Sequence, residues 1–455
     1  MKSVLIIGGG FSGMMTAINL VMDESPITVT IVNGFLQAPL GVAYTTTNLG
    51  HLLNVPAGKM SAFANKPNDF IDWLKSKSEY NYLISDSIQN DFIPRAIYAI
   101  YLNELFEKYQ SHPKIKWVKG IVKDADLKDT KVNIELENGQ RFEGDYLILA
   151  TGNILPANPP IKNEAFYFSK HYFRNPWDDS FLNALNNNKP VLIIGSGLTM
   201  IDCVISLTSN NFKSKIIAVS PRGYIPKSHT VSASYDNFYP EIKEQSLLSI
   251  FKTVRKHIKI AEKKNIPWQA VIDSLRPYVQ DIWSSFSDKD KQQFISHVRH
   301  IWGVARHRLP AHVYNEIQQL IQNGQLEIIG GRINNITEIK DDDLLVDIQL
   351  RKQKNSHTQN VSRVINCTGP QTNYNQIESD LFLNLISKKI IVPDTNRLGI
   401  KATKNYKVMS ENQFAHENIF TIGSLLRGVI WETTAVPELK QQAFEIAQQI
   451  KSKLN

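Results

Sequence analysis

Cysteine is scarce in this chain of 455 residues, which contains only Cys203 and Cys367. Two thiols so far apart in sequence exclude a small secreted fold held together by disulfides. The chain also lacks a Cys-x-x-Cys motif, which argues against a dithiol–disulfide reductase. Neither cysteine lies in a cluster with the spacing of metal ligands, so we expect no metal site.

Long hydrophobic runs and blocks of like charge are lacking too. No stretch approaches the roughly 18 apolar residues of a membrane-spanning helix, and the apolar run after Met1 is too short for a signal peptide. The formal net charge is +8, but lysine and arginine are spread along the chain, which disfavours nucleic-acid binding. We expect a cytoplasmic protein that binds neither membrane nor nucleic acid, and its oligomeric state stays open.

The chain does contain an N-terminal segment typical of dinucleotide-binding proteins. The apolar run Val4–Ile7 suits a strand that is buried on both faces of a parallel sheet. A glycine-rich loop, a helical stretch over Met14–Met22 and a second strand over Ile27–Val32 follow it. This order predicts a βαβ unit.

The loop has the spacing Gly-x-Gly-x-x-Gly. The first glycine permits a tight turn, the second lets a pyrophosphate approach the backbone, and the third lets helix and strand pack closely. The helix N-terminus then presents free N–H groups to the phosphates. Where a carboxylate commonly binds the ribose hydroxyls, the chain has an asparagine, whose amide forms a weaker bond. The predicted cofactor-binding residues are Gly8, Gly10, Phe11, Ser12, Gly13 and Asn33.

A second, looser copy of this loop follows the apolar run Val191–Ile194. It has two of the three glycines, with Met200 in place of the third, and a helical stretch and a strand over Ile216–Val219 come after it. This is a second dinucleotide-binding unit. Its predicted cofactor-binding residues are Gly195, Gly197, Leu198 and Thr199.

The end of this second unit indicates which nicotinamide cofactor binds. No carboxylate stands where it would repel a 2′-phosphate, and Arg222, assisted by Ser220, could pair with that phosphate. We therefore favour NADPH over NADH, while NADH stays open.

These patterns predict an α/β protein with two Rossmann-like domains, one for FAD and one for NAD(P)H. Each domain also has a β-meander, and the second domain has a helical insertion that includes a single helix over Trp268–Trp283. A C-terminal amphipathic helix is predicted over Pro437–Leu454. We place the FAD domain at 1–158 and 370–455, the NAD(P)H domain at 159–369, the insertion at about 236–322 and the meanders at 115–149 and 326–365.

Further motifs occupy Gly41–Tyr44, His51–Ser61, Phe92–Arg95, Arg299–Arg308 and Arg427–Pro437. Together they resemble a bacterial FAD/NAD(P)-binding oxidoreductase family related to flavin-dependent monooxygenases, including the aspartate N-monooxygenase and urate hydroxylase clade. The resemblance covers nearly the whole chain and is specific for cofactor and fold rather than for substrate.

The resemblance implies further site residues. Gly152 would mark the exit from the FAD domain, Gly423 would lie in the late flavin-binding loop, and Ser424 stands where relatives often have an aspartate for the ribityl chain. The start of the C-terminal helix, near Thr434, would stabilise negative charge on the reduced flavin. The candidate catalytic residues are Asn54, Lys59 and Glu432.

Three functions follow from these expectations. The first is an FAD-dependent monooxygenase that uses NADPH and O₂ on a small molecule, with N-hydroxylation as one form of it. The second is an NAD(P)H dehydrogenase that passes electrons to a quinone or a protein, and the third is a non-enzymatic redox sensor. The roles of His171, His300 and His307 stay open, with structural roles favoured.

Overall fold

The computed structural model describes residues 1–34, 41–230, 234–339, 343–353 and 355–454. The chain divides into two compact units, of which unit 1 is Met1–Ile154 with Thr372–Asn455 and unit 2 is Leu155–Gln371. The domain boundaries expected from the sequence, after 158 and before 370, differ from these by a few residues.

Both units contain parallel strands linked by helices. The strands are β1 (Lys2–Ile7), β2 (Ile27–Asn33), β3 (Ile115–Lys119), β4 (Val122–Lys128), β5 (Lys131–Leu136), β6 (Arg141–Gly144), β7 (Tyr146–Leu149), β8 (Tyr172–Phe173), β9 (Val191–Ile194), β10 (Ile216–Ser220), β11 (Leu326–Glu338), β12 (Leu344–Leu350), β13 (Ser356–Val361), β14 (Arg363–Asn366), β15 (Lys407–Met409) and β16 (Ala415–Thr421).

The helices are α1 (Phe11–Val21), α2 (Asp69–Lys75), α3 (Arg95–Gln110), α4 (Leu198–Ser209), α5 (Tyr239–Ile242), α6 (Leu247–Lys263), α7 (Trp268–Ser274), α8 (Val279–Ser285), α9 (Asp288–Gln293), α10 (Arg299–Arg306), α11 (Ala311–Gln322), α12 (Asp380–Ser387) and α13 (Val436–Lys451). A π-helical segment, Phe294–Val298, joins α9 to α10.

Unit 1 is built on a sheet with the strand order β15-β16-β7-β1-β2-β3, in which β15 is antiparallel to its neighbour and the other pairs are parallel. Strand β1 lies in the middle and is buried on both faces: Val4 and Ile6 pack in one core, and Leu5 and Ile7 pack in the other. A two-sided core explains why the strand is a continuous apolar run. Within the predicted first meander, 115–149, β4, β5 and β6 form a separate antiparallel sheet, whereas β3 and β7 at its ends join the parallel sheet.

Unit 2 repeats this plan around the sheet β13-β12-β11-β10-β9-β14-β8. Strands β11, β10, β9, β14 and β8 are parallel, and β12 and β13 extend the long strand β11 as an antiparallel meander. The predicted fold class, two Rossmann-like units with meanders and a helical insertion, is therefore confirmed.

The insertion differs from the prediction in one respect. The single helix expected over Trp268–Trp283 is broken into α7, a 3₁₀ turn over Arg276–Tyr278 and α8. Pro277 lies inside the break, and proline lacks the N–H that a continuing helix needs. Among the described residues, no helix is both long and apolar enough to cross a membrane.

Candidate functional site

The first glycine turn, residues 8–13, joins β1 to α1 and is tightly packed at two of its glycines. Gly8 has a φ of +105°, and a Cβ on it would lie 2.2 Å from the carbonyl oxygen of Ala150. A Cβ on Gly13 would lie 1.9 Å from the carbonyl oxygen of Gly8. At Gly10, by contrast, the nearest atom would be 3.6 Å away. Gly10 therefore leaves room at the helix N-terminus, where a diphosphate binds in units of this kind.

Two buried polar atoms beside this turn have no hydrogen-bond partner within the described chain, the hydroxyl of Thr151 and the indole N–H of Trp117. A Cβ on Gly8 would lie 3.2 Å from the Cα of Thr151, and one on Gly9 would lie 3.0 Å from the ring of Trp117. Unpaired buried polar groups cost free energy. Together with the room at Gly10, these groups fit a polar ligand such as FAD.

Three other predicted residues support the same turn. Asn33 ends β2, and its Oδ1 accepts a long hydrogen bond of 3.4 Å from the N–H of Gly9. Phe11 is buried in the core, so its backbone rather than its ring can face a cofactor. The hydroxyl of Ser12 would lie 3.9 Å from a Cβ on Gly423. The segment Gly423–Leu426, called the late loop below, therefore reaches this turn.

Hydrogen bonds assemble the late loop with the start of α13. Gly423 has a φ of +79°, and its N–H donates to Oε1 of Gln442 over 3.0 Å. The amide of Gln442 donates to the hydroxyl of Thr433 over 2.6 Å. Ser424 donates its hydroxyl to the carbonyl oxygen of Gly152 over 2.5 Å. The structure thus brings Gly152, Gly423 and Ser424 together beside the first glycine turn.

The three candidate catalytic residues lie on two loops of unit 1. Asn54 and Lys59 are exposed, and Lys59 belongs to the 3₁₀ turn Ala57–Lys59. Glu432 is half-buried and has a φ of +60°, which non-glycine residues rarely adopt and which is enriched at functional sites. Thr434 is exposed just before α13, which begins at Val436. Their catalytic and cofactor-binding roles stay predictions.

The second glycine turn, residues 195–200, joins β9 to α4 in unit 2. Gly195 has a φ of +111°, and a Cβ on it would lie 2.4 Å from the carbonyl oxygen of Cys367. At Gly197 an added Cβ would meet no atom within 4 Å. The two turns therefore share a tightly packed first glycine and a second glycine without close contacts. They differ at the third position, where α4 holds the fully buried Met200.

The residues predicted to bind the nicotinamide cofactor surround this second turn. Leu198 and Thr199 are half-buried in the first turn of α4. The hydroxyl of Ser220 accepts a hydrogen bond of 3.1 Å from the N–H of Gly223 and lies 2.7 Å from that of Ser196. Ser220 therefore supports the loop after β10.

Arg222 is tied to the helical insertion. Its Nη1 donates to the carbonyl oxygen of His297 over 3.0 Å, and its Nη2 donates to that of Ser296 over 3.2 Å. A guanidinium has five N–H donors, so these two bonds leave others for a phosphate.

The histidines named above all lie in unit 2. His171 is half-buried, and its backbone N–H donates to the hydroxyl of Ser169 over 3.1 Å. His300 and His307 are exposed on and just after α10. In the described parts of the chain, no group of three or more side chains is arranged to hold a metal ion.

The sequence analysis did not single out Gln442, although a signal was present. Leu439, Ala443 and Ile446 mark the apolar face of α13, and Gln442 lies on that face. A polar residue on an apolar face is buried only when it has hydrogen-bond partners, and here it links Gly423 to Thr433.

Comparison with known proteins agrees with this arrangement. Residues 5–154 match a family model described as FAD-NAD(P)-binding. The chain is 21% identical over 221 residues to the uncharacterized protein YdhS of Escherichia coli strain K12. That match covers 46% of this chain and 39% of YdhS, so the chain spans well under half of its curated relative.

Solved structures share the fold over the whole chain. An ornithine N-hydroxylase of Kutzneria sp. 744 superposes with a TM-score of 0.70 at 13% identity, and 100% of each chain is covered. An L-lysine 6-monooxygenase of Pseudomonas syringae superposes with a TM-score of 0.69 at 15% identity, again with 100% of each chain covered. Identities of 13% and 15% show a shared fold and do not extend to a shared activity.

Proposed function

We propose, on the premise that residues 5–154 form an FAD-NAD(P)-binding segment, that this protein is an FAD-dependent monooxygenase. It would use NADPH and O₂ to hydroxylate a nitrogen atom of a small-molecule amine. The balanced reaction is amine + O₂ + NADPH + H⁺ giving hydroxylamine + H₂O + NADP⁺. The motif resemblance to the aspartate N-monooxygenase and urate hydroxylase clade supports the same class of reaction.

The observation that carries this proposal is the pair of glycine turns. In each turn the first glycine is held against a neighbouring strand end. The second glycine has no close contact: an added Cβ would meet its nearest atom at 3.6 Å on Gly10 and none within 4 Å on Gly197. Two open turns in one chain suit two dinucleotides, FAD in unit 1 and NADPH in unit 2. The fold shared along the whole chain with amine N-hydroxylating enzymes favours the oxygenase over the dehydrogenase and the sensor.

The residues of unit 1 would hold FAD, which when bound accepts hydride from the nicotinamide and activates O₂. Gly10 and the N–H groups at the start of α1 would contact the diphosphate, and Ser424 would contact the ribityl chain. The N-terminus of α13, next to Thr434, would favour negative charge on the reduced ring.

The substrate would lie near the candidate catalytic residues. Glu432, held with a φ of +60°, would bind an ammonium group, and Asn54 and Lys59 would orient polar groups of the substrate. Their shared task is to position the amine and to keep water away from the reacting atoms. A small-molecule substrate, O₂ and a cytoplasmic location belong to this proposal.

The purified protein tests the proposal in two steps. It should be yellow with the absorbance of FAD, and NADPH should bleach that absorbance anaerobically. In air, NADPH oxidation, peroxide release and product mass are then measured with L-ornithine and L-lysine. A product 16 mass units heavier, formed in step with NADPH oxidation, supports the N-hydroxylase.

Other outcomes contradict it. A colourless protein that FAD cannot reconstitute would end the flavoprotein assignment. Reduction by NADPH followed only by peroxide release with both amines, together with fast transfer of electrons to menadione, would establish a dehydrogenase. Absence of reduction by either NADPH or NADH would leave the sensor.

A further inference from the structure

The loop that follows β10 in unit 2 is tied to the helical insertion. The guanidinium of Arg222 binds the carbonyl oxygens of Ser296 and His297. Both residues belong to the π-helical segment Phe294–Val298, and short π-helical segments of this kind occur frequently at functional sites. The residues that directly follow this segment are therefore held near the end of β10.

Those residues are Arg299, which adds a positive charge next to Arg222, and His300. Burial lowers the pKa of His300 first, and the charges of Arg299 and Arg222 lower it further. Burial also lowers the pKa of Arg299, although its side chain still reaches solvent. The side chain of Arg299 is exposed, so its guanidinium is accessible to an anion from solvent.

Within the described ranges of the chain, no carboxylate forms an ion pair with Arg222, Arg299 or His300. An acidic residue of the same insertion, Asp273, is paired with the buried Arg308. The guanidinium groups of Arg222 and Arg299 repel each other, so an anion that binds between them gains the attraction of both. His300, whose pKa is lowered, adds a ring N–H donor rather than a full positive charge.

The position of the cluster indicates which anion this is. The second strand of a dinucleotide-binding unit ends beside the adenosine ribose, and an arginine there accommodates the 2′-phosphate of NADP. A guanidinium matches the geometry of phosphate oxygens with two parallel hydrogen bonds. Strand β10 is that second strand in unit 2, and it ends at Ser220, two residues before Arg222.

We propose that Arg299 and His300, both carried by the helical insertion, complete with Arg222 a binding site for the 2′-phosphate of NADPH. The inference rests on the proposed function in that NADPH is the ligand. The second glycine turn would contact the diphosphate, which NADH and NADPH share, so this turn alone cannot select between them. The proposed site gives that selectivity to the insertion.

Binding of adenosine fragments to the purified full-length protein tests the site without any turnover. Adenosine 2′,5′-bisphosphate carries the 2′-phosphate and 5′-AMP lacks it, and inorganic phosphate reports binding of the bare anion. By calorimetry we expect the wild-type protein to bind the bisphosphate at least about tenfold more tightly than 5′-AMP, which is the effect of one good charged contact.

Two variants and a matched control locate the selectivity. Arg299→Ala should weaken binding of the bisphosphate by about tenfold and His300→Ala by a few-fold, and neither should change the affinity for 5′-AMP. Lys289→Ala removes an exposed cation from α9 of the same insertion and should leave both affinities unchanged. Arg299→Lys keeps the charge and should recover part of the lost affinity.

Several results would overturn the inference: equal wild-type affinity for the two nucleotides, unchanged bisphosphate binding in Arg299→Ala and His300→Ala, or an equal loss in Lys289→Ala. Tight binding of inorganic phosphate alone, without preference between the nucleotides, would show a general anion site and would also overturn it. The presence of bound flavin distinguishes failure of this site from failure of the proposed function. A yellow protein that NADH and NADPH reduce equally would keep the flavoprotein assignment and end the 2′-phosphate site. A colourless protein whose preference for the bisphosphate disappears in Arg299→Ala would keep the 2′-phosphate site and end the flavoprotein assignment.

Discussion

The sulfur atoms of Cys203 and Cys367 lie 3.5 Å apart in unit 2, although the two residues are 164 positions apart in sequence. Both are buried free thiols. Cys203 lies in α4 and Cys367 follows β14, so the pair connects two elements beside the second glycine turn. The contact with Cys367 and burial raise the pKa of Cys203 well above its ordinary value.

This environment predicts thiols that do not react in the native protein. The thiolate is the reactive form, and a raised pKa leaves little of it at neutral pH. A thiol reagent such as 5,5′-dithiobis(2-nitrobenzoate) should label neither cysteine over minutes at pH 8, and both within seconds after unfolding in guanidinium. The Cys203→Ser variant should release one equivalent on unfolding instead of two. Rapid labelling of the folded wild-type protein would contradict the prediction.

Gly10→Ala should remove FAD without disturbing the fold. An added methyl group would meet its nearest neighbour at an ordinary 3.6 Å, and the backbone there is extended, with a φ of −69°. The methyl group would nevertheless occupy the space that a diphosphate needs, so we expect FAD affinity to fall by about tenfold or more. Flavin content and affinity are measured by absorbance and fluorescence titration, and the fold by circular dichroism.

The matched control for this variant is Gly303→Ala in α10, where an added methyl group meets nothing within 4 Å. Alanine is the better helix former, so this change should leave FAD binding intact and stabilise the protein by up to about 1 kcal/mol. Full FAD binding in Gly10→Ala would mean that the first glycine turn does not hold the diphosphate.

Gln442→Leu should destabilise the protein and loosen the late loop of unit 1. The change preserves size but leaves the N–H of Gly423 and the hydroxyl of Thr433 without their buried partner. Leaving such groups unsatisfied costs about 1–3 kcal/mol, measurable as a lower free energy of unfolding in urea. Gln441→Leu, on the exposed side of the same helix, should change stability by less than about 0.5 kcal/mol. Equal effects of the two changes would show that the bridge is unimportant.

Asp145 makes the stability of unit 1 depend on pH. Burial acts to raise the pKa of its carboxyl group, but hydrogen bonds from Lys131 and Ser3 outweigh burial and lower the pKa well below the ordinary value. A group whose folded pKa is lowered contributes stability that is present above its unfolded pKa of about 4 and is lost as pH falls from there through the folded pKa.

Asp145→Asn should therefore cost about 1–2 kcal/mol at pH 7, and the difference from wild type should shrink as the pH falls below about 4. Urea unfolding at a series of pH values measures this difference in the free energy of unfolding. Asp86→Asn, at an exposed position, serves as the control and should show no such trend. A wild-type–variant difference that stays constant down to pH 2 would mean that Asp145 contributes through packing alone.

Local patterns in the chain predicted most of the fold. The βαβ units and the buried strands depend on short apolar runs and on glycines that a tight turn requires, so neighbouring residues carry that information. The prediction of one continuous helix over Trp268–Trp283 was wrong at Pro277. Helical spacing of apolar residues continues on both sides of the break, whereas the missing N–H of a single proline ends the helix.

The sequence by itself determined two nucleotide-binding units, because strand, glycine turn and helix are encoded within about thirty residues of each other. Only the tertiary structure decided which distant side chains meet: Gln442 with Gly423, Cys203 with Cys367, and Arg222 with the insertion that carries Arg299. Such contacts depend on how packed elements bring together residues tens to hundreds of positions apart, and no local pattern of residues specifies them.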